Sequence, residues 1–120
     1  MIKKTLVLGA SLKPHRYSNL AIKKLVKNQH EVVAIGLREG KVAGVNIEIE
    51  KERFEGIDTV TLYINPKRQI AFFDYIISLK PKRVIFNPGT ENTEFVDLLM
   101  ENDIETEVAC TLVLLSTNQY

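Results

Sequence analysis

Short apolar runs alternate along the chain with longer amphipathic segments, and this alternation limits the fold more than any other feature. Residues 5–8, 31–35, 59–63, 83–86 and 104–108 are runs of four or five residues rich in Val, Ile, Leu, Thr and Phe. Each reads as a strand, and the first, over residues 5–8, which is continuous and stops at Gly9, reads as a buried one. Between them, Ala21, Ile22, Leu25 and Val26 recur at helical spacing over residues 18–28, with Lys23, Lys24 and Lys27 facing away. Residues 67–79 carry Ile70, Phe73 and Ile77 on one face, and Pro81 ends that segment. Residues 93–102 are built on Phe95, Leu98 and Leu99. Residues 45–49 alternate and read as a short edge strand. Ser18 or Asn19 is placed to cap the first helix.

Strands alternating with helices mean βαβ units, and right-handed crossovers leave few topologies. The expected fold is α/β: a single Rossmann-like doubly wound domain, residues 1–120, with about five mainly parallel strands and helices on both faces. The length suits one domain. A chain of this size buries roughly two thirds of its unfolded surface, enough for a core without staples.

Charge narrows the partners. The formal net charge is +1, unlike the basic excess of a nucleic-acid binder. Residues 1–90 hold all 16 Lys and Arg against 8 acidic residues, whereas residues 91–120 hold 7 acidic residues and no basic one. An anion site is therefore expected on the first three quarters of the chain. The single Cys110 leaves no internal disulfide framework and no multi-cysteine metal site. No apolar run approaches the roughly 20 residues needed to span a bilayer, and the start is unlike a signal peptide. A cytoplasmic protein with no membrane partner is expected.

In a doubly wound sheet, ligands bind outside the carboxyl ends of the strands. Four loops there carry Gly or Pro with small polar residues: 9–18, 36–44, 63–67 and 87–92. The first occupies the frame of a G-x-G-x-x-G dinucleotide fingerprint, with Gly9 present, Ser11 in the second place and Pro14 in the third. Pro14 delays the following helix toward Ser18. Gly9 allows a sharp turn, and a side chain there would fill a phosphate's space or strain that turn. Dinucleotide sites usually end the second strand with an acid, but this chain has Gly36-Leu37-Arg38. Arg38, with Lys41 three residues on, suits a phosphorylated ribose, so CoA and NADP both fit better than NAD. Lys13 and Arg16 are placed to neutralise phosphates. Asn65-Pro66 and Asn87-Pro88-Gly89 are rigid turns able to wall a ligand slot.

Val7-Leu8-Gly9-Ala10-Ser11 followed by Pro14, Arg16, Tyr17 and Ser18 resembles the G-A-S-x-x-P-x-R-x-S opening of a family of small CoA-binding proteins. Their fold matches the N-terminal CoA-binding domain of the succinyl-CoA synthetase alpha subunit. Gly44, Asp58, Val60, Asn87-Pro88-Gly89 and Cys110 resemble later family positions. The resemblance implies that Gly9, Ala10, Ser11, Arg16 and Ser18 contact a pyrophosphate. It also implies that the second loop meets the nucleotide end and that Pro66 walls the adenine. The family often has Asn-Pro after its second strand; here Arg38 and Lys41 stand nearby instead. Asn87 and Gly89 complete the expected CoA or acyl-CoA site.

No catalytic set accompanies these loops. Ser11 is not in a G-x-S-x-G elbow, His15 lacks a partner acid, and Cys110 reads as a buried structural thiol. His30 reads as a partner of a helix C-terminus, and no metal site is expected. Non-catalytic binding of CoA or an acyl-CoA is the leading expectation, with an NADP-dependent oxidoreductase as the alternative. The apolar run Thr111–Leu115 suggests a homodimer contact, with Leu114 in it.

Overall fold

The computed structural model describes residues 2–120. Its sheet runs β3-β4-β2-β1-β5-β6-β7. The strands are β1 (Thr5–Ala10), β2 (Val32–Gly36), β3 (Gly40–Val42), β4 (Val45–Glu48), β5 (Thr59–Leu62), β6 (Arg83–Phe86) and β7 (Glu105–Val108). All pair in parallel except β3, which turns back antiparallel on β4. The helices are α1 (Tyr17–Lys27), α2 (Pro66–Gln69), α3 (Phe73–Leu79), α4 (Thr93–Glu101) and α5 (Thr111–Ser116).

Alternate strand residues feed two cores. Leu6, Leu8, Val60, Leu62, Val84 and Phe86 pack with Phe73, Ile76, Phe95 and Leu99, so α3 and α4 cover one face. Val7, Ala10, Ala34 and Ile47 pack with Ile22, Leu25 and Leu115, so α1 and α5 cover the other. The rings of Phe73 and Phe95 stack with centroids 4.3 Å apart, and Phe86 meets Phe95 edge-on at 5.9 Å. Each such pair adds about 1 kcal/mol beyond its burial.

The sheet has seven strands where the sequence suggests about five. The short strand expected over 45–49 is β4, and the strand not expected is β3, which pairs with it in a hairpin turning through Ala43 and Gly44, both at positive φ. The helix expected over 67–79 is broken into α2, a 3-10 turn Ile70–Phe72, and α3. The break lies beside Gln69, which is fully buried. Its Nε2 donates to the carbonyls of Ile64 and Thr90, and its Oε1 accepts from Asn92. Helix α1 starts at Tyr17, with Arg16 as an N-cap that gives no side-chain bond, so neither Ser18 nor Asn19 is the cap.

The C-terminal run is helix α5, which buries Leu114 and Leu115 and exposes Val113. Leu114 therefore belongs to the core rather than to an outer surface. Cys110, its N-cap, is only half-buried. His30 is not a helix-end cation. Its Nδ1 accepts from the Lys3 N–H at 3.0 Å, which requires the neutral ring. Desolvation, then Lys3 and Arg83, lower its pKa. Among the described residues, no helix is long and apolar enough to cross a membrane.

Candidate functional site

Strand order reverses at β1. The chain first fills one side of β1 with β2, the outermost β3 and β4 between them, then returns to place β5 on the other side of β1. The loops after β1 and β5 therefore diverge, and a cleft opens between them, as expected at a switch point. Its volume is about 730 Å³. Gly9, Ala10, Ser11, Leu12, Lys13, Arg16, Tyr17 and Ser18 form one side, continued by Leu37 and Arg38. Tyr63, Ile64, Asn65, Arg68, Pro88, Gly89 and Thr90 form the other.

Gly9 shapes the first loop through backbone geometry. Its φ is +98°, and an added Cβ would lie 2.9 Å from the Tyr63 carbonyl carbon and oxygen. The missing side chain thus makes room for the neighbouring β5 loop, and the β1–β2 register shifts between Leu8 and Ala10. Beyond it, Ser11 Oγ accepts from the Lys13 N–H at 3.1 Å, which leaves the hydroxyl proton to donate elsewhere. The Ser11 carbonyl accepts from Asn19 Nδ2 at 2.9 Å. Asn19 is buried in the first turn of α1, so the helix holds the loop in place.

The first turn of α1 lines the cleft through Tyr17 and Ser18. It has no side-chain cap and no acidic residue. Unpaired N–H groups there favour an anion. Four basic side chains, Lys13, Arg16, Arg38 and Arg68, line the cleft, and among the described residues no acidic one does. None of these four joins an ion pair among the described residues. All lining residues fall before position 91, where the charge asymmetry places an anion site.

Arg68 arrives through local rules. Asn65 caps α2 with its side chain on the Arg68 N–H at 2.9 Å, and Pro66 takes N1, where no N–H is needed. Tyr63 forms part of the cleft, but its hydroxyl is shielded and without a hydrogen-bond partner. Burial pushes its pKa up to about 12; nearby Thr111 and Thr61 pull the other way without reaching bonding geometry. The phenol therefore stays protonated at neutral pH.

The structure brings together Gly9, Ala10, Ser11, Arg16, Ser18, Arg38 and Gly89. Lys41 stands apart, exposed on β3. Pro66 is exposed at the start of α2 and outside the lining. Asn87 lies beneath the cleft, 1% exposed. Its Nδ2 donates to Thr61 Oγ1 (2.6 Å) and the Leu62 carbonyl (2.9 Å). Its Oδ1 accepts from the Thr111 N–H (2.8 Å). Every hydrogen-bonding end of that amide is thus engaged within the protein. His15 is exposed and outside the lining. Tyr63 and Thr90 lie in loops the sequence marks but are not singled out there, and Arg68 falls just past the 63–67 loop; closeness to the ends of β5 and β6 was the available signal.

Residues 3–116 match the family described as CoA binding domain. No curated protein gives a significant match. A crystal structure of an uncharacterized protein is 51% identical, with a TM-score of 0.97, covering 100% of this chain and 99% of that one. A protein from Thermus thermophilus, cell-free ID.343, is 21% identical with a TM-score of 0.87, covering 99% of this chain and 91% of its own. The dinucleotide-forming acetyl-coenzyme A synthetase 1 of Ca. Korarchaeum cryptofilum is 14% identical with a TM-score of 0.71. That match covers 87% of this chain but 25% of the synthetase. The last two likenesses bear on the fold alone.

Proposed function

The chain belongs to the CoA binding domain family, and from that premise we propose that it binds CoA or an acyl-CoA in the switch-point cleft without catalysing a reaction. The carrying observation is the set of four unpaired basic side chains around the cleft, with no acid in its lining. A ligand bearing several phosphates neutralises such a set. Gly9, Ala10, Ser11, Arg16 and Ser18 hold the pyrophosphate, helped by the uncapped start of α1. Arg38, at the end of β2, takes the ribose phosphate. Lys41 acts only through the general field, and Gly89 borders the far side.

The cleft also suits the rest of such a ligand. Leu12, Tyr17 and Leu37 line it while remaining 40%, 72% and 73% exposed. Large apolar groups left bare beside cations fit a molecule that is part anion and part carbon chain or ring.

Thermal shift with CoA, acetyl-CoA, dephospho-CoA, NADPH and ATP tests the reading. CoA compounds at a hundredfold excess over their Kd should stabilise the fold by about 2.7 kcal/mol. Stabilisation by NADPH alone would replace this reading with a dinucleotide-dependent one. No response to any of the five would remove the nucleotide reading altogether.

A further inference from the structure

The cleft's two walls differ in what they offer a ligand, and the difference rests on a residue just outside its lining. Residues 87–90 form a tight turn in which the Thr90 N–H and Thr90 Oγ1 both donate to the Asn87 carbonyl, at 2.9 and 2.7 Å. Pro88 has no N–H. Gly89, at φ +91°, is left with the turn's one outward backbone donor. That donor is taken: the Gly89 N–H bonds Glu91 Oε1 at 2.8 Å. The Thr90 carbonyl is held by Gln69.

Burial does not force this arrangement. Gly89 and Glu91 are both exposed, so water would satisfy the N–H equally well. A carboxylate nevertheless occupies the place where this wall would accept a phosphate oxygen. It also sets a negative charge beside an otherwise basic cleft. Glu91 joins no ion pair among the described residues.

We propose that Glu91 is a specificity-determining residue. By filling the Gly89 N–H with a carboxylate, it keeps phosphates on the basic wall formed by residues 11–18 and Arg38. The turn at 88–90 is left to a neutral part of the same ligand, Arg68 in α2 being the one cation that lines that side among the described residues. This rests on the cleft being a phosphate-bearing ligand's site, and it adds the ligand's direction across the cleft. It also separates charge from shape. Glu91→Gln keeps an acceptor for the Gly89 N–H and removes the charge, whereas Glu91→Ala removes both.

The test is amide NMR on the full chain, titrated with inorganic pyrophosphate. In the wild type, amides of residues 11–18 and Arg38 should shift while Gly89 stays still. In Glu91→Ala, Gly89 should join them, and in both variants affinity should rise about threefold, the scale of an exposed charge–charge interaction. Wild-type shifts at 11–18 with no tightening in either variant overturn the role of Glu91 alone, as does a Gly89 amide that moves equally in the wild type. Tightening in Glu91→Ala but not Glu91→Gln overturns the charge argument. Wild-type shifts at neither 11–18 nor Arg38 overturn the phosphate reading of the cleft, and this inference with it.

Discussion

Gly9 and Arg38 show how differently two residues of one cleft act. Gly9 brings no side chain to a ligand; it lets β1 end in a turn that the Tyr63 backbone and the Ile64 side chain can approach. Gly9→Ala must place a Cβ within 3 Å of that backbone at a φ of +98°. A strained position of this kind costs about 1–3 kcal/mol, before the clash is counted. Chemical denaturation should show that loss even without ligand, and CoA affinity should fall with it. Arg38 is exposed and packs against little, so Arg38→Ala should leave stability unchanged. It should weaken CoA by about 1.5–3 kcal/mol if its bond to the ribose phosphate is well formed, and weaken dephospho-CoA much less. Calorimetry with the two ligands measures that difference; equal losses would place Arg38 away from that phosphate.

At the level of elements, the cleft depends on joints between strands and helices. Asn87 is the chief joint, tying the end of β6 to β5 and supplying the first N–H of α5 with the acceptor that Cys110 does not. Asn87→Ala leaves the buried Thr111 N–H without its acceptor and takes a donor from the Leu62 carbonyl and from the Thr61 hydroxyl, which keeps only Thr111 Oγ1. It should cost about 3 kcal/mol, read as a lower denaturation midpoint. The sequence shows Asn87 only as a turn residue, because a buried amide and an exposed one look alike in a list of letters. The same blindness explains the broken helix. Ile70, Phe73 and Ile77 keep their apparent period across the 3-10 turn, and nothing local reveals that Gln69 is gripped from three sides. The central strands β1, β5 and β6 were legible for the opposite reason, since burial on both faces demands nearly unbroken apolar or β-branched residues; the edge strand β7, half exposed, is legible from its β-branched residues alone. β3 was hidden: three residues at an edge, only Val42 of them buried, carry no such demand.

Across the whole molecule, Lys3 and Thr5 at the start of β1 meet Tyr120 at the amino ends of the strands, opposite the cleft. Tyr120 bonds the Thr5 hydroxyl (2.5 Å), lies 4.6 Å under the Arg83 guanidinium and packs edge-on against His30. His30 accepts a backbone N–H there and must stay neutral to do so. Its pKa is lowered by desolvation, with Lys3 and Arg83 adding to the effect and Asp58 opposing it. The unfolded chain therefore takes up the proton more readily than the folded one. The contribution of His30 is complete above its ordinary pKa of about 6.5. It is lost as pH falls from there through the lowered folded value. Urea unfolding at pH 7.5 and 5.5 should show a larger acid loss for the wild type than for His30→Gln. Equal losses would mean that the ring is not held neutral by the fold.

The reversal of strand order at β1 has a consequence for how the chain may be divided. The chain crosses between the two halves once, in the segment between β4 and β5, where Glu55 and Gly56 are exposed; besides β1 against β5, helix α5 of the second half packs on α1 of the first. A cut there yields one piece carrying Arg16 and Arg38, and another carrying Arg68 and Gly89. Neither piece owns a whole cleft, and each leaves a bare edge where β1 would meet β5. Reassembly must then restore the β1–β5 seam and the binding site in a single event. Any molecule that settles in the cleft becomes a clasp between two polypeptides, so the fragments should reassociate at lower concentration in its presence. A severed version of this chain would report its own ligand, identified simply by which small molecule brings the halves together.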